Sequence, residues 1–157
     1  MLKVFKTEIK WAIVIGILQL LWLILEFFLG FHDDFISYSP IVSLSFYVPI
    51  IFVIYYAIKE NKEGLYEGNM DLMKGIKTGF FTALFAVPLM AIVKFAFFTW
   101  ASPDYFSTLI DYKVSTGFNR DKMILHFTLK NHLRELIFFP SMGLLFSLLG
   151  SFLLKNK

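Results

Sequence analysis

Residues 11–31 read WAIVIGILQLLWLILEFFLGF, an apolar run in which Gln19 and Glu26 are the only strongly polar side chains. At about 1.5 Å per residue, a helix over this run matches the roughly 30 Å hydrocarbon core of a bilayer. The run is too long for the apolar part of a signal peptide and ends without a small-residue cleavage site. We therefore expect it to be retained as a first membrane span.

Three further apolar runs of similar length follow, at residues 40–58, 78–100 and 136–154. Of the 157 residues, 57% are hydrophobic and 20 are Phe, with a mean hydropathy of +0.66. A soluble domain of this size does not need so much apolar surface for one core, whereas a membrane bundle turns the excess toward lipid. The sequence predicts an all-α fold, a four-helix transmembrane bundle that forms one integral membrane domain over residues 1–157.

The chain has a net charge of +3, and nearly all of its charged side chains lie between the apolar runs. Their positions therefore indicate the topology of the chain in the membrane. Nine lysines lie before the first run, between the second and third, or after the fourth, on what we call the lysine-rich end: Lys3, Lys6, Lys10, Lys59, Lys62, Lys74, Lys77, Lys155 and Lys157. The opposite end carries five bases, all within residues 101–135. The positive-inside rule then places both termini in the cytoplasm. The bases indicate no nucleic acid partner.

The connection at residues 101–135 is long and carries helical patterns of its own. Apolar side chains recur at helical spacing from Tyr105 to Val114, and after a break Asn119 is placed to cap a second helix that runs toward Ile137. We expect an amphipathic helical pair, called the insertion below, on the outer surface. Two roles are open for it: covering the end of the bundle, or binding a partner or a substrate.

Small residues predict how the spans pack against one another. On the first span Gly16 shares a 4-3-4-3-4 stripe with both polar side chains, as in a left-handed bundle. On the third span, Gly79 and Ala83 lie on the same face as Lys94. On the fourth, small residues recur every four positions, at Gly143, Ser147 and Ser151, so that backbones can approach closely there.

Glu26 and Lys94 are ionisable groups inside apolar runs, where an unpaired charge costs several kcal/mol. Counting from the outer ends of their spans places them at about the same depth, roughly 7 and 9 Å below the surface. We predict an ion pair between them, or a cluster with Arg134, His132 or Glu135. Three interpretations are open: a structural pair, a coupling site for protons or charged substrates together with Gln19, or a Lys94 that snorkels outward past a protonated Glu26.

Catalytic signatures are missing from the sequence. With no cysteine, the chain has no disulfide and no thiolate metal site. It contains no zinc-hydrolase His-Glu spacing, no nucleophile elbow, no phosphate loop and no dinucleotide fingerprint. We expect no catalytic, cofactor-binding or metal-binding residues, and no enzyme.

Several segments resemble one family. They run from Glu63-Gly64 through Met73-Lys74-Gly75-Ile76-Lys77-Thr78-Gly79 into the third span, and continue with Ser102-Pro103-Asp104-Tyr105-Phe106 after it and Pro140 with Gly150 in the last span. In these the chain resembles the domain of unknown function 4199 family. The resemblance implies a small four-span bacterial membrane protein with a helical insertion before the last span, and it implies no activity.

Two functional classes follow from these patterns. The first is a non-enzymatic membrane subunit or interaction protein in the lipid bilayer, whose small-residue stripes dock another membrane protein or a second copy in a homo-oligomer. The second is a small ion- or proton-coupled transporter that uses Glu26 and Lys94. A hydrated cavity that reaches Glu26 from one side would favour transport, and a closed interior would favour the subunit.

Overall fold

The chain folds into helices joined by short connections in the computed structural model, which describes residues 5–155; Lys3 and Lys157 of the lysine count lie outside that range. The α-helices are α1 (Lys6–Phe28), α2 (Ser39–Ser45), α3 (Tyr47–Glu63), α4 (Leu72–Ala96), α5 (Tyr105–Ser115), α6 (Arg120–His126), α7 (Leu129–Arg134) and α8 (Phe139–Leu154). Four helical segments are long and apolar enough to cross a membrane: Lys6–Phe28, Ile36–Glu63, Leu72–Ala101 and Leu129–Leu154. The all-α fold with four spans is confirmed.

The helices extend beyond the apolar runs at the lysine-rich end. Helix α1 begins at Lys6 and ends at Phe28, which is earlier at both ends than the predicted range of residues 11–31. Helix α3 continues to Glu63, so that only residues 64–71 connect it to α4. Hydropathy marks the part of a helix that lies in hydrocarbon, whereas capping decides where the helix starts. The Asp71 carboxylate accepts a hydrogen bond from the Lys74 N–H at 2.7 Å and so begins α4.

The second span is interrupted between α2 and α3. Helix α2 ends at Ser45, and Phe46 separates it from α3. Proline has no N–H to donate, and its ring clashes with the carbonyl four residues earlier. Pro49 stands four residues after Ser45, which accounts for the break at this point.

Helices α4 and α8 approach most closely through small residues. Three pairs meet along their contact: Gly75 with Ser151, Gly79 with Ser147, and Ala83 with Gly143. A Cβ atom added to Gly79 would overlap the Ser147 side chain, and one added to Gly143 would overlap the Ala83 Cβ. In lipid, where helices gain little from the hydrophobic effect, such close backbone contact is a main source of association. On the other side of α4, a Cβ on Gly16 would lie 3.1 Å from the Leu89 Cβ, so α1 also packs closely.

The insertion covers one end of the bundle. Helix α5 buries Tyr105, Leu109 and Ile110 against the ends of the spans. The predicted cap is confirmed, since the Asn119 side chain accepts a hydrogen bond from the Lys122 N–H at 3.1 Å and starts α6.

The single second helix predicted for the insertion is wrong. Helix α6 ends at His126, because the Asn131 side-chain amide donates to the carbonyls of Leu125 and His126. The Thr128 hydroxyl then accepts from the Asn131 N–H at 3.2 Å and starts a new helix, α7. Helix α7 runs through the 3-10 turn Glu135–Phe138 into α8, and so belongs to the fourth span.

The contact between α4 and α8 can be tested with a matched pair of substitutions on α8. Ser147 is fully buried against Gly79, whereas Ser141 is exposed on the same helix. Ser147→Leu should destabilise the fold by about 2 kcal/mol or more, since overpacking at a closed contact typically costs about 1–3 kcal/mol. Ser141→Leu should have little effect. The measurement is unfolding in mixed detergent micelles, and equal stability of the two variants would contradict close packing here.

Candidate functional site

The connection after α1 folds back and places a histidine inside the bundle. Gly30 has φ +78°, a conformation that favours glycine, and its carbonyl accepts a hydrogen bond from the Phe35 N–H at 2.8 Å. The turn buries His32, whose exposed fraction is only 1%. Its Nδ1 lies 2.9 Å from the Ser102 Oγ. A loop residue of the first connection thus becomes part of the interior.

A π-helical turn at the end of α4 packs against the buried His32. Residues Phe97–Ala101 form the turn, and the Ser102 N–H donates to the Phe97 carbonyl at 3.0 Å. The wider turn brings Phe98 onto the His32 ring, with ring centroids 5.8 Å apart, and Tyr105 packs on the same ring at 4.6 Å. Turns of this kind are frequent at functional sites.

Tyr105 links the insertion to the second span by a buried hydrogen bond. Its hydroxyl lies 2.9 Å from the Ser39 Oγ. Burial raises the pKa of the Tyr105 hydroxyl above its ordinary range. The phenol therefore keeps its proton at physiological pH.

Glu26 is held by neutral donors and by a histidine. It is 2% exposed, and its Oε1 accepts hydrogen bonds from the Trp22 Nε1–H at 2.9 Å and the Ser43 hydroxyl at 3.0 Å. Its Oε2 lies 3.5 Å from the His32 Nε2. That nitrogen has no hydrogen-bond partner, so the contact is an electrostatic one at a distance that a small movement would close.

Lys94 contacts a different histidine. Its Nζ lies 3.1 Å from the His132 Nε2. A lysine ammonium can only donate, so Nε2 is the acceptor and the ring proton is on Nδ1. The His132 Nδ1 in turn lies 3.5 Å from the Glu135 carboxylate, which is 65% exposed. The three side chains form a polar chain from the bundle interior to its surface.

Glu26 and Lys94 face a common cavity of about 70 Å³. Gln19, Glu26, Lys94 and His132 are among its lining residues. A water molecule needs about 10–15 Å³ of cavity volume, so this cavity has room for several water molecules. A second cavity of about 260 Å³, on the side of the insertion, shares five lining residues with the first: Ser43, Tyr47, Lys94, Tyr105 and His132. We call the residues around the first cavity the outer polar site.

The direct ion pair between Glu26 and Lys94 is not formed, since in residues 5–155 no oppositely charged atoms of these two side chains lie within 4.0 Å. Equal depth in the membrane does not make two side chains partners when other segments bring groups closer to each of them. His32, folded back by the turn after α1, lies against the Glu26 carboxylate, and His132 lies against Lys94. The alternative form of the prediction, a cluster that includes His132 and Glu135, describes the observed contacts better.

The other predicted site residues are placed as follows. Gln19 is 3% exposed and lines the cavity. Arg134 is exposed on α7 and does not line the cavity, because the chain of contacts passes through His132 on another face of that helix. The sequence analysis missed His32, although the signal was present: Gly30 after an apolar helix marks a sharp turn two residues before it. Across residues 5–155, no group of three or more His, Cys, Asp or Glu side chains is placed to hold a metal ion.

Exchanging the charges of Glu26 and Lys94 tests whether each side chain has its own partners. The double variant Glu26→Lys, Lys94→Glu should be no more stable than Glu26→Lys alone, because a lysine at position 26 would meet the Trp22 and Ser43 donors. A buried charge left without its partners typically costs about 3–5 kcal/mol. The measurement is the yield and thermal unfolding of folded protein in a mild detergent. Recovery of wild-type stability in the double variant would mean that the charges pair directly.

Comparison with known proteins gives one match. The family described as "Protein of unknown function (DUF4199)" matches residues 10–156. No curated protein and no solved structure matches the chain at a significant level. The match covers nearly the whole chain, including all four spans and the insertion. With this coverage, the chain belongs to the DUF4199 family of proteins of unknown function.

Proposed function

We propose that this chain is a small proton-coupled transport protein of the membrane, not an enzyme, in which Glu26 takes up and releases the proton. The observation that carries the proposal is the cavity of about 70 Å³ at the outer polar site, which is lined by Glu26, Lys94 and His132 among other residues. Ionisable groups inside a membrane are costly, and when they line a polar cavity they are typical of proton and ion pathways.

A proton has a chain of groups to follow from the surface. Glu135 is exposed, and His132 beside it has a side chain that is 24% exposed. An imidazole can accept a proton on one nitrogen and release one from the other, which suits it to proton transfer. In the tautomer described above, Nε2 takes a proton from the Lys94 ammonium while Nδ1 releases its own to the Glu135 carboxylate, and the reverse order carries a proton inward. The cavity that Lys94 shares with Glu26 has room for the water that would complete the route.

In this proposal, Lys94 couples the protonation of Glu26 to the binding of a small solute. Its ammonium contacts the His132 Nε2 and faces the same cavity as Glu26. A charged Glu26 attracts the ammonium toward the cavity, and a protonated Glu26 does not. Protonation of Glu26 therefore changes where Lys94 binds, and with it the charge that the cavity offers to a small solute.

A second candidate is the non-enzymatic membrane subunit, which docks another membrane protein or a second copy. It is favoured by the contacts that the Glu26 carboxylate already makes to Trp22, Ser43 and His32. A carboxylate bonded in this way can fix the register of the helices without exchanging a proton. The two candidates differ in whether Glu26 exchanges protons with the solution.

Trp22 reports on Glu26 directly, because its indole N–H donates to the Glu26 carboxylate. The chain has three tryptophans, so Trp11→Phe with Trp100→Phe leaves Trp22 as the only one. In lipid vesicles, we expect the Trp22 fluorescence to change when the pH is changed on the side of the membrane that the insertion faces. Glu26→Gln should abolish this change. Glu60→Gln is the matched control, since Glu60 accepts from Trp11 but lies at the other end of the bundle.

Proton flux into the same vesicles gives the second readout. A pH-sensitive dye inside them should show uptake that Glu26→Gln abolishes and Glu60→Gln preserves. A Trp22 emission that does not respond to pH, together with flux equal to that of protein-free vesicles, would reject the transport proposal and favour the subunit.

The orientation is part of the proposal: a bacterial inner membrane with both termini in the cytoplasm, supported by the lysine count. Since the chain has no cysteine, single cysteines can be labelled without background. Asp33 and Glu63 are exposed at opposite ends of the bundle. In intact cells, Asp33→Cys should react with an impermeant maleimide and Glu63→Cys should react only after lysis. Labelling of both variants, or of Glu63→Cys alone, would contradict this orientation.

A further inference from the structure

The buried face of α1 carries a second carboxylate at the lysine-rich end. Glu8 is 4% exposed and shares the face with Gln19 and Glu26. Glu8 and Glu26 are 18 residues apart, which corresponds to five turns and about 27 Å along the helix axis. Both side chains therefore point in the same direction from α1, close to opposite edges of a hydrocarbon core of about 30 Å.

Glu8 has fewer partners than its burial requires. Its Oε1 accepts a hydrogen bond from the Asn61 Nδ2 at 2.7 Å, and the same amide donates to the Thr78 hydroxyl oxygen at 3.0 Å. Its Oε2 is buried and has no hydrogen-bond partner among the described residues 5–155. A buried carboxylate oxygen without a donor is unfavourable when charged, and it is a position where a proton can bind.

The nearby charges do not neutralise Glu8. Throughout residues 5–155, no cationic atom lies within 4.0 Å of its carboxylate. Four lysines of this end have other partners: Lys10 bonds to Glu60 on α3, Lys59 lies 3.9 Å from Glu63, Lys62 donates to the Leu154 carbonyl of α8, and Lys74 donates to the Asn69 carbonyl. Tyr66, in the connection before α4, lies near enough to interact electrostatically with Glu8 and with Asp71, and neither Tyr66 nor Asp71 supplies a positive charge.

A tightly packed layer separates Glu8 from the outer polar site. Ile15 on α1 and Ile50 and Ile54 on α3 are fully buried in the core between them. Gln19 stands on the outer side of this layer, where it lines the cavity. Two polar sites at opposite ends of one helix face, with an apolar layer between them, form no open channel. Passage of a proton between them requires the kind of rearrangement by which transporters open to one side at a time.

We infer that Glu8, held by Asn61 and Thr78, is a second proton-binding site that exchanges with the lysine-rich side. The inference rests on the proposed function and extends it to the other end of the path. The proton binds the Oε2 of Glu8, which then has an O–H to donate. A proton fits better than a metal ion, because Mg²⁺ and Ca²⁺ take six or more oxygen ligands, and this pocket offers three side chains.

Infrared difference spectroscopy of the protein in lipid films tests the inference, since a protonated carboxyl group has its own carbonyl band. Between high and low pH, we expect a band that is lost in Glu8→Gln. It should be retained in Glu63→Gln, the matched control, which is exposed at the same end. Thr78→Val leaves the carboxyl in place and removes the acceptor beside Asn61. It should keep the band and move its midpoint pH.

The Trp22 fluorescence measured in parallel separates the inference from the proposed function. A Glu8 band with a silent Trp22 would support the second site and reject the role of Glu26. A responsive Trp22 with identical difference spectra for the wild type and Glu8→Gln would overturn the second site and leave the proposed function standing. If Glu8→Gln does not fold, a Thr78→Val spectrum with no shift in any carboxyl band overturns it as well.

Discussion

In the hydrocarbon core no water is present to satisfy a polar group, so every buried polar side chain of this protein must find its partner within the protein. This constraint explains the arrangement of the bundle. Glu26 accepts hydrogen bonds from a tryptophan of its own helix and a serine of the second span, and a histidine from a loop lies 3.5 Å away. Glu8 is satisfied only in part, by Asn61. Polar chemistry is confined to the two ends, where partners from several elements can reach.

The half of the α4–α8 contact nearer the lysine-rich end is closed by small residues, and this determines where a cavity can form. Between α4 and α8 the backbones are in close contact from Gly75 to Ala83. Toward the insertion end, the facing residues of the same two spans become larger, with Met90 and Lys94 on one side and Leu136 on the other. Bulky side chains hold helices apart where glycine lets them touch. The outer polar site lies in the space that results.

Three local devices assemble that site from distant parts of the chain. A glycine with positive φ folds the first connection back, so that His32 enters the bundle. The π-helical turn after α4 rotates Ser102 toward His32. The cap at Thr128 restarts the helix and leaves His132 facing Lys94. Each device follows from simple residue chemistry, but none of them identifies its partner from the sequence alone.

The sequence by itself determined the four spans, the small-residue faces and the presence of ionisable groups in apolar runs. These properties follow from the length, composition and periodicity of a single segment. Only the tertiary structure decided the partners. It replaced the predicted pair of Glu26 and Lys94 by contacts to His32 and His132, left Arg134 outside, and buried Glu8, which precedes the apolar run. The physical reason is that a hydrogen bond depends on positions to within a few tenths of an ångström, and these are set jointly by segments far apart in the chain.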